Sequence, residues 1–302
     1  MTEAKIPNTQ PDESRPRLPD WLKVRMPGGP RYIELQNLMR SKNLHTVCEE
    51  AHCPNIGECW ERGTATFMIL GDICTRACRY CAVTTGKPFQ VDPLEPIRLA
   101  QTAKDMQLEY CVITSVNRDD LEDGGASIFA ECIERVHKAL PSCKVEVLIP
   151  DFMGLVEPLA TVLTAEPDVL NHNIESTRTI FRLVRPKGNY DQSLELMVNS
   201  KRLAPSIPTK SGIIVGMGED ISEVIETMRD LRAVDCDLLT IGQYLRPSQQ
   251  HIRMDRFYTP AEFEFLRGEG VSMGFKHVAS GPLVRSSYHA DEQHRSATLQ
   301  PR

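Results

Sequence analysis

Long apolar runs are missing from this chain. The longest are of strand length, which excludes a membrane-spanning helix in the sequence as read. A surplus of basic charge is missing too: 35 Lys and Arg stand against 41 Asp and Glu, a formal net charge of −6, so nucleic acid is not an expected partner. The opening "MTEAKIPNTQPDESRPRLPD" has no apolar stretch of the kind a secretory signal needs, and it is too acidic for a transit peptide. No internal repeat, heptad pattern or low-complexity block is present. These absences point to a cytoplasmic protein with no membrane partner, in a compartment where thiols stay reduced. What remains is a chain of 302 residues, 41% hydrophobic and 25% charged, able to bury a sizeable core.

Short apolar runs rich in Val, Ile and Leu recur at 66–70, 110–116, 144–149, 168–174, 211–217 and 238–244. Such runs suit strands buried on both faces. Between and after them, helical periodicity occupies 96–107, 125–140, 153–165, 190–203, 220–234 and 260–271, with Asp191 and Asp220 as candidate N-caps and Pro260 in a first turn. Six strand–helix units in strict alternation predict an α/β fold, a partial (β/α)6 TIM-like barrel whose chemistry gathers at the C-terminal strand ends. The expected division is a flexible arm (1–20), an N-terminal extension (21–65), the barrel (66–280) and a C-terminal tail (281–302).

Six of the ten cysteines fall between residues 48 and 81, in two triplets. Cys74, Cys78 and Cys81, in "CTRACRYC", follow the first strand directly. Three thiolates at that density suit an iron–sulfur cluster with one iron left open, or a zinc ion with a fourth ligand from elsewhere. Cys48, Cys53 and Cys59, in "CEEAHCPNIGEC", are spaced too widely for most zinc sites, although His45 and His52 stand near, and Pro54 and Gly57 read as turn residues. The remaining four, Cys111, Cys132, Cys143 and Cys236, read as small buried apolar residues.

C-x3-C-x-aromatic-C, with Tyr80 as the aromatic, resembles the signature of the radical S-adenosylmethionine (SAM) superfamily. That resemblance implies that Cys74, Cys78 and Cys81 hold a [4Fe–4S] cluster whose open iron is chelated by SAM, and that reductive cleavage of SAM releases a 5′-deoxyadenosyl radical able to take hydrogen from unactivated carbon. C-x4-C-x5-C is similar to the auxiliary-cluster motif of the lipoyl synthase family. "ITSVNRDDLEDGGA" (113–126), "NHNIES" (171–176), "VRPKGNYDQSL" (184–194), "KSGIIVGMGE" (210–219), "QYLRPS" (243–248), "GPLVRSSYHA" (281–290) and the weaker "LPDWLK" (18–23) extend the likeness along the chain.

The family resemblance implies a second [4Fe–4S] cluster on Cys48, Cys53, Cys59 and Ser287, consumed as the sulfur source for C6 and C8 of an octanoyl-lysine. The carrier it implies is a lipoyl domain of a 2-oxo acid dehydrogenase subunit or the glycine-cleavage H protein, with ferredoxin or flavodoxin as reductant. A hard serine oxygen on iron otherwise bound by sulfur leaves more readily than a thiolate, which suits a cluster that is taken apart. For SAM the implied contacts are Tyr80, Thr114, Ser115, Asn171, Asn173, Glu175 and Arg185, with Gly212 and Gly216 allowing close backbone approach. "RDDLEDGG" (118–125) shapes the active face without a catalytic role. The alternatives are another sulfur-inserting radical SAM enzyme, such as a methylthiotransferase, and a non-enzymatic electron carrier. The tail serine and the lack of a basic extension tell against the first; the two incomplete triplets and the barrel length tell against the second.

Overall fold

The structure, a computed structural model, describes residues 18–23, 33, 36, 37, 39, 40, 42, 45, 46, 55–61 and 64–299. Cys48, Cys53 and His52 lie outside them, as does residues 1–17 of the expected arm. Strand β1 (His45–Thr46) runs antiparallel to β2 (Thr64–Ile69). A short parallel ribbon follows, β3 (Ile73–Cys74) with β4 (Thr84–Thr85). Parallel strands β5 (Tyr110–Ser115), β6 (Lys144–Leu148), β7 (Val169–Asn171), β8 (Thr209–Val215), β9 (Leu238–Gln243) and β10 (His277–Gly281) then extend the sheet. The ladder reads β1-β2-β5-β6-β7-β8-β9-β10, an open barrel of the expected class.

All six predicted strands are present, and β10 is a seventh parallel strand that was not foreseen. Its sequence, "HVASG", offers one buried aliphatic side chain instead of an apolar run. Helix α1 (Ile56–Glu61) precedes the barrel and contains Gly57, so the turn expected at that residue is helical instead. The connecting helices are α2 (Glu95–Asp105), α3 (Ala126–Ala139), α4 (Val156–Thr164), α5 (Phe181–Val184), α6 (Tyr190–Leu203), α7 (Ile221–Ala233) and α8 (Pro260–Ser272), and α9 (Ala290–Leu299) ends the fold. Asp220 caps α7 as expected, with Glu223 reaching back to its N–H at 2.8 Å. At α6 the cap is Asn189, whose side chain accepts from the N–H groups of Asp191 and Gln192. Asp191 instead lies in the first turn, where its charge meets the helix dipole.

The strands alternate faces. Cys111 and Ile113 join the core beneath α2 and α3 with Phe129 and Ile133, whereas Tyr110 and Val112 face the barrel interior and meet Ala290. Burying one side chain such as Phe129 contributes about 1.5–3 kcal/mol, and this outer layer is where the apolar strand runs act.

The interior is polar. Lys210 on β8, fully buried, pairs with Glu146 on β6 at 2.9 Å, and Tyr110 and Asn171 donate to the same carboxylate at 2.9 and 3.0 Å. Removing one partner of such a pair costs about 3–5 kcal/mol, because the other charge is left buried alone. Below this network, Ala290, Gln293 and Ala297 form the buried face of α9, with Ala297 against Val169 and Leu238 at the N-terminal strand ends. Small residues let this helix come close enough to cover the lower barrel.

Candidate active site

Cys74 is the last residue of β3, so the ribbon with β4 fixes where the second triplet begins. Its sulfur accepts the N–H of Arg76 at 3.4 Å and of Asn117 at 3.3 Å. The loop that follows is clasped on several sides. Arg79 N–H donates to Val184 O at 2.9 Å, Lys187 Nζ to Thr75 O at 2.9 Å, Ile252 N–H to Arg79 O at 2.8 Å, and His251 Nε2 lies 2.9 Å from Cys81 O. Burial raises the Cys78 and Cys81 thiols, Cys81 to about 12, and the neighbouring sulfurs push the same way. A bound cation reverses that preference by displacing the protons. Among the described residues, no three His, Cys, Asp or Glu side chains converge as a site for a single metal ion. An iron–sulfur cluster spreads its thiolates over separate irons.

The rim of strand ends beside the loop carries buried polar atoms without protein partners: Ser115 Oγ, Asn117 Oδ1, Asn173 Oδ1 and Arg185 Nε. Buried polar groups in folded proteins are almost always bonded, so this set fits a polar ligand such as SAM. Arg185 ends α5, stacks over the Phe181 ring and donates to Asn173 O at 3.1 Å. Tyr80 and Asn173 both hydrogen-bond Glu175, whose carboxyl is raised by burial and pulled back by Arg185. Glu175 has φ of 73° and bridges to β8 through Gly212 O and Ile214 N–H. That conformation costs about 1–2 kcal/mol in a non-glycine residue and is held by the β8 contacts.

Asn171 gives its Nδ2 to the Glu146 network while its buried Oδ1 has no protein partner, and the Thr114 hydroxyl donates to Leu148 O at 3.0 Å. Gly212 faces Asn173 and Thr240, where a Cβ would stand 2.7 and 2.8 Å from their side-chain oxygens. Gly216 has φ of +101° and starts a turn closed by Glu219, which accepts the N–H groups of Gly216 and Met217 at 2.5 and 2.9 Å. The strand motif therefore ends in a carboxylate-stapled turn.

The tail returns to this same end of the barrel. Asn173 Nδ2 donates to Ser286 Oγ at 2.6 Å, and Asn55 Nδ2 to Leu283 O at 2.6 Å. Glu58, beside Cys59 on α1, accepts from Tyr288 Oη at 3.3 Å and lies 2.8 Å from His289 Nε2. Two segments some 230 residues apart are thereby joined, and Ser287 and Cys59 stand on neighbouring positions of the joint. Gly242 makes room for the tail, since a Cβ there would lie 2.2 Å from Val284 O. Gly242→Ala is expected to lower stability by about 1–3 kcal/mol through overpacking and to expose residues 282–290 to limited proteolysis. Parent-like melting and protection would show that this approach is not limiting.

A cavity of about 600 Å³ opens at the opposite, N-terminal strand ends, lined by Lys144, Lys201, Lys276, Asp168, Asp237 and His294. Its lysines are already paired, Lys144 with Asp168 and both Lys201 and Lys276 with Asp237, so they tie strand starts together and none is left for a ligand. Sequence reasoning missed Arg76, Asn117, Asp151, Lys187 and His251 around the loop; residue type alone carries no signal for them.

Residues 68–231 match the profile of the Radical SAM superfamily, and residues 2–53 that of the N-terminal domain of lipoyl synthase of the Radical SAM family. A methylornithine synthase structure overlays with a TM-score of 0.54 at 14% identity, covering 86% of this chain and 87% of that one. HydG, a maturase of the [FeFe]-hydrogenase, overlays with 0.54 at 13%, covering 87% and 70%. At such identities the likeness is one of fold. The lipoyl synthase of Chloroflexus aurantiacus is 56% identical over 277 residues, 92% of this chain and 90% of its own length. That of Roseiflexus sp. is 57% identical over 277 residues, 92% of each. The superfamily match implies a [4Fe–4S] cluster and SAM, and identity of this depth over nine-tenths of both chains shows that the chain belongs to the lipoyl synthase family.

Proposed function

We propose that the chain inserts sulfur at C6 and C8 of an octanoyl group amide-linked to a lysine of a carrier protein, forming the lipoyl group. In this reading Cys74, Cys78 and Cys81 hold the cluster at which SAM binds, and Cys48, Cys53, Cys59 and Ser287 hold a second cluster that supplies sulfur. The observation that carries it is the joint between the tail and α1, made by Glu58 with Tyr288 and His289. A loosely placed C-terminal serine would have no reason to be tied to the helix that bears Cys59.

When bound, the first cluster and SAM supply a carbon radical able to remove hydrogen from unactivated C–H bonds. The chain's own residues bind and orient. Arg185 offers its free Nε–H to the SAM carboxylate, Asn173 and Glu175 accept from its amino or ribose groups, and Ser115 adds a hydroxyl. Tyr80 and Asn173 orient the Glu175 carboxylate for that role. The extension 21–65 and the tail 281–302 act as one ligand-bearing unit on the barrel. The carrier is a lipoyl domain of a 2-oxo acid dehydrogenase subunit or the H protein, and a ferredoxin or flavodoxin delivers the electrons. No helix among the described residues is long and apolar enough to cross a membrane.

The test supplies an octanoyl-lysyl peptide, SAM and a strong reductant under anaerobic conditions. Dithiolated peptide and 5′-deoxyadenosine are expected together. Release of 5′-deoxyadenosine with no thiolated peptide, from protein carrying about eight irons, would sink the proposal.

A further inference from the structure

We infer that Arg76 is a positioning residue for the cluster loop, a buried guanidinium gripped by Asp119 and Asp151 that sets where Cys74, Cys78 and Cys81 stand. The inference rests on reading those cysteines as cluster ligands. A charged residue between two ligand cysteines is expected to point to solvent, yet the Arg76 side chain is only 4% exposed. Its Nε and Nη2 each lie 2.8 Å from Asp119, and its Nη1 and Nη2 each lie 2.7 Å from Asp151.

The two carboxylates come from different places in the barrel. Asp119 lies in the loop after β5, where its N–H donates to the Thr75 hydroxyl at 3.1 Å. Asp151 follows β6 and also accepts the N–H of Met153 at 3.1 Å. One planar group therefore ties the cluster loop to two neighbouring strand ends. Only a guanidinium can make two such forked pairs, since an ammonium is a point charge. Burying charge is costly, and the same volume filled with apolar side chains would stabilise the fold as well or better. What the ion triad adds is geometry. Movement of Arg76 also disturbs its own N–H bond to the Cys74 sulfur, which gives the clamp a spectroscopic handle.

The test reconstitutes full-length Arg76→Lys, Arg76→Gln and Asp119→Asn anaerobically beside the parent. Lys210→Met serves as a control that removes an equally buried cation away from the loop. Both Arg76 variants are expected to show shifted EPR lines of the reduced cluster before SAM is added, and to release 5′-deoxyadenosine about tenfold more slowly. Asp119→Asn, which keeps the Asp151 fork, should fall between, whereas Lys210→Met should lower the melting temperature and leave the lines in place. Parent-like lines with cleavage within about twofold in Arg76→Lys overturn the inference. If the Arg76 variants do not fold, as judged by circular dichroism, Asp119→Asn decides: shifted lines sustain the clamp and parent-like lines overturn it. A radical-cluster signal that survives Cys74→Ala marks failure of the ligand assignment itself, and the clamp falls with it.

Discussion

Alanine in place of Cys78 is expected to reduce 5′-deoxyadenosine formation to background and to lower the iron content of the reconstituted chain from about eight to about four. Cys78 lies in the middle of the loop, with no strand to hold it, and burial raises its thiol while the Arg185 charge pulls it back. A two-cysteine remnant cannot hold a cube with one iron already reserved for SAM, so no slow residual path is expected. The fold should survive. Cys78 is part-exposed, outside the apolar core, and the loop keeps its contacts to Val184, Lys187 and Ile252. A variant that melts with the parent, carries about half its iron and releases no 5′-deoxyadenosine is the expected result. Full iron with cleavage intact would remove Cys78 from the proposed ligand set.

The six strand–helix units were legible because most strands carry an apolar helix-facing file, as at Cys111 and Ile113 on β5 and Val145 and Val147 on β6. The inward file was not legible as such. Glu146, Asn171 and Lys210 sit in apolar strands as isolated polar residues, and only the barrel brings them into one network. Strand β10 escaped because only Val278 of its five residues is a buried aliphatic, packed with Phe263 and Leu266 of α8, which a local pattern does not register. At the site, cysteine spacing marked the clasped loop, while Ser287 was visible only through resemblance, since two serines before a tyrosine look like any turn. Arg76 and Asp151 lie 75 residues apart, and Gly242 meets a carbonyl in the tail. Such pairs are products of closure of the barrel, and neither partner looks unusual alone.

Two substitutions at Ser287 separate holding a cluster from surrendering it. Ser287→Cys offers a soft thiolate where the chain has a hard oxygen, so the second cluster should assemble fully, with about eight irons per chain, and resist loss of sulfur. SAM cleavage at the other site should stay within about twofold of the parent, while the thiolated product falls by about a hundredfold. Ser287→Ala removes the ligand altogether and should assemble poorly, with iron drifting toward the single-cluster value. Glu58→Ala keeps all four ligands but cuts the bonds to Tyr288 and His289, leaving the tail with its Asn55 and Asn173 contacts. It should lie between the two, forming the cluster yet losing product by about tenfold. The decisive comparison is Ser287→Cys against the parent, with product counted per SAM cleaved. If the thiolate variant makes lipoyl product at the parental ratio, lability of the oxygen ligand is not what frees the sulfur. The tail's joint to α1 would then serve only to complete the cluster.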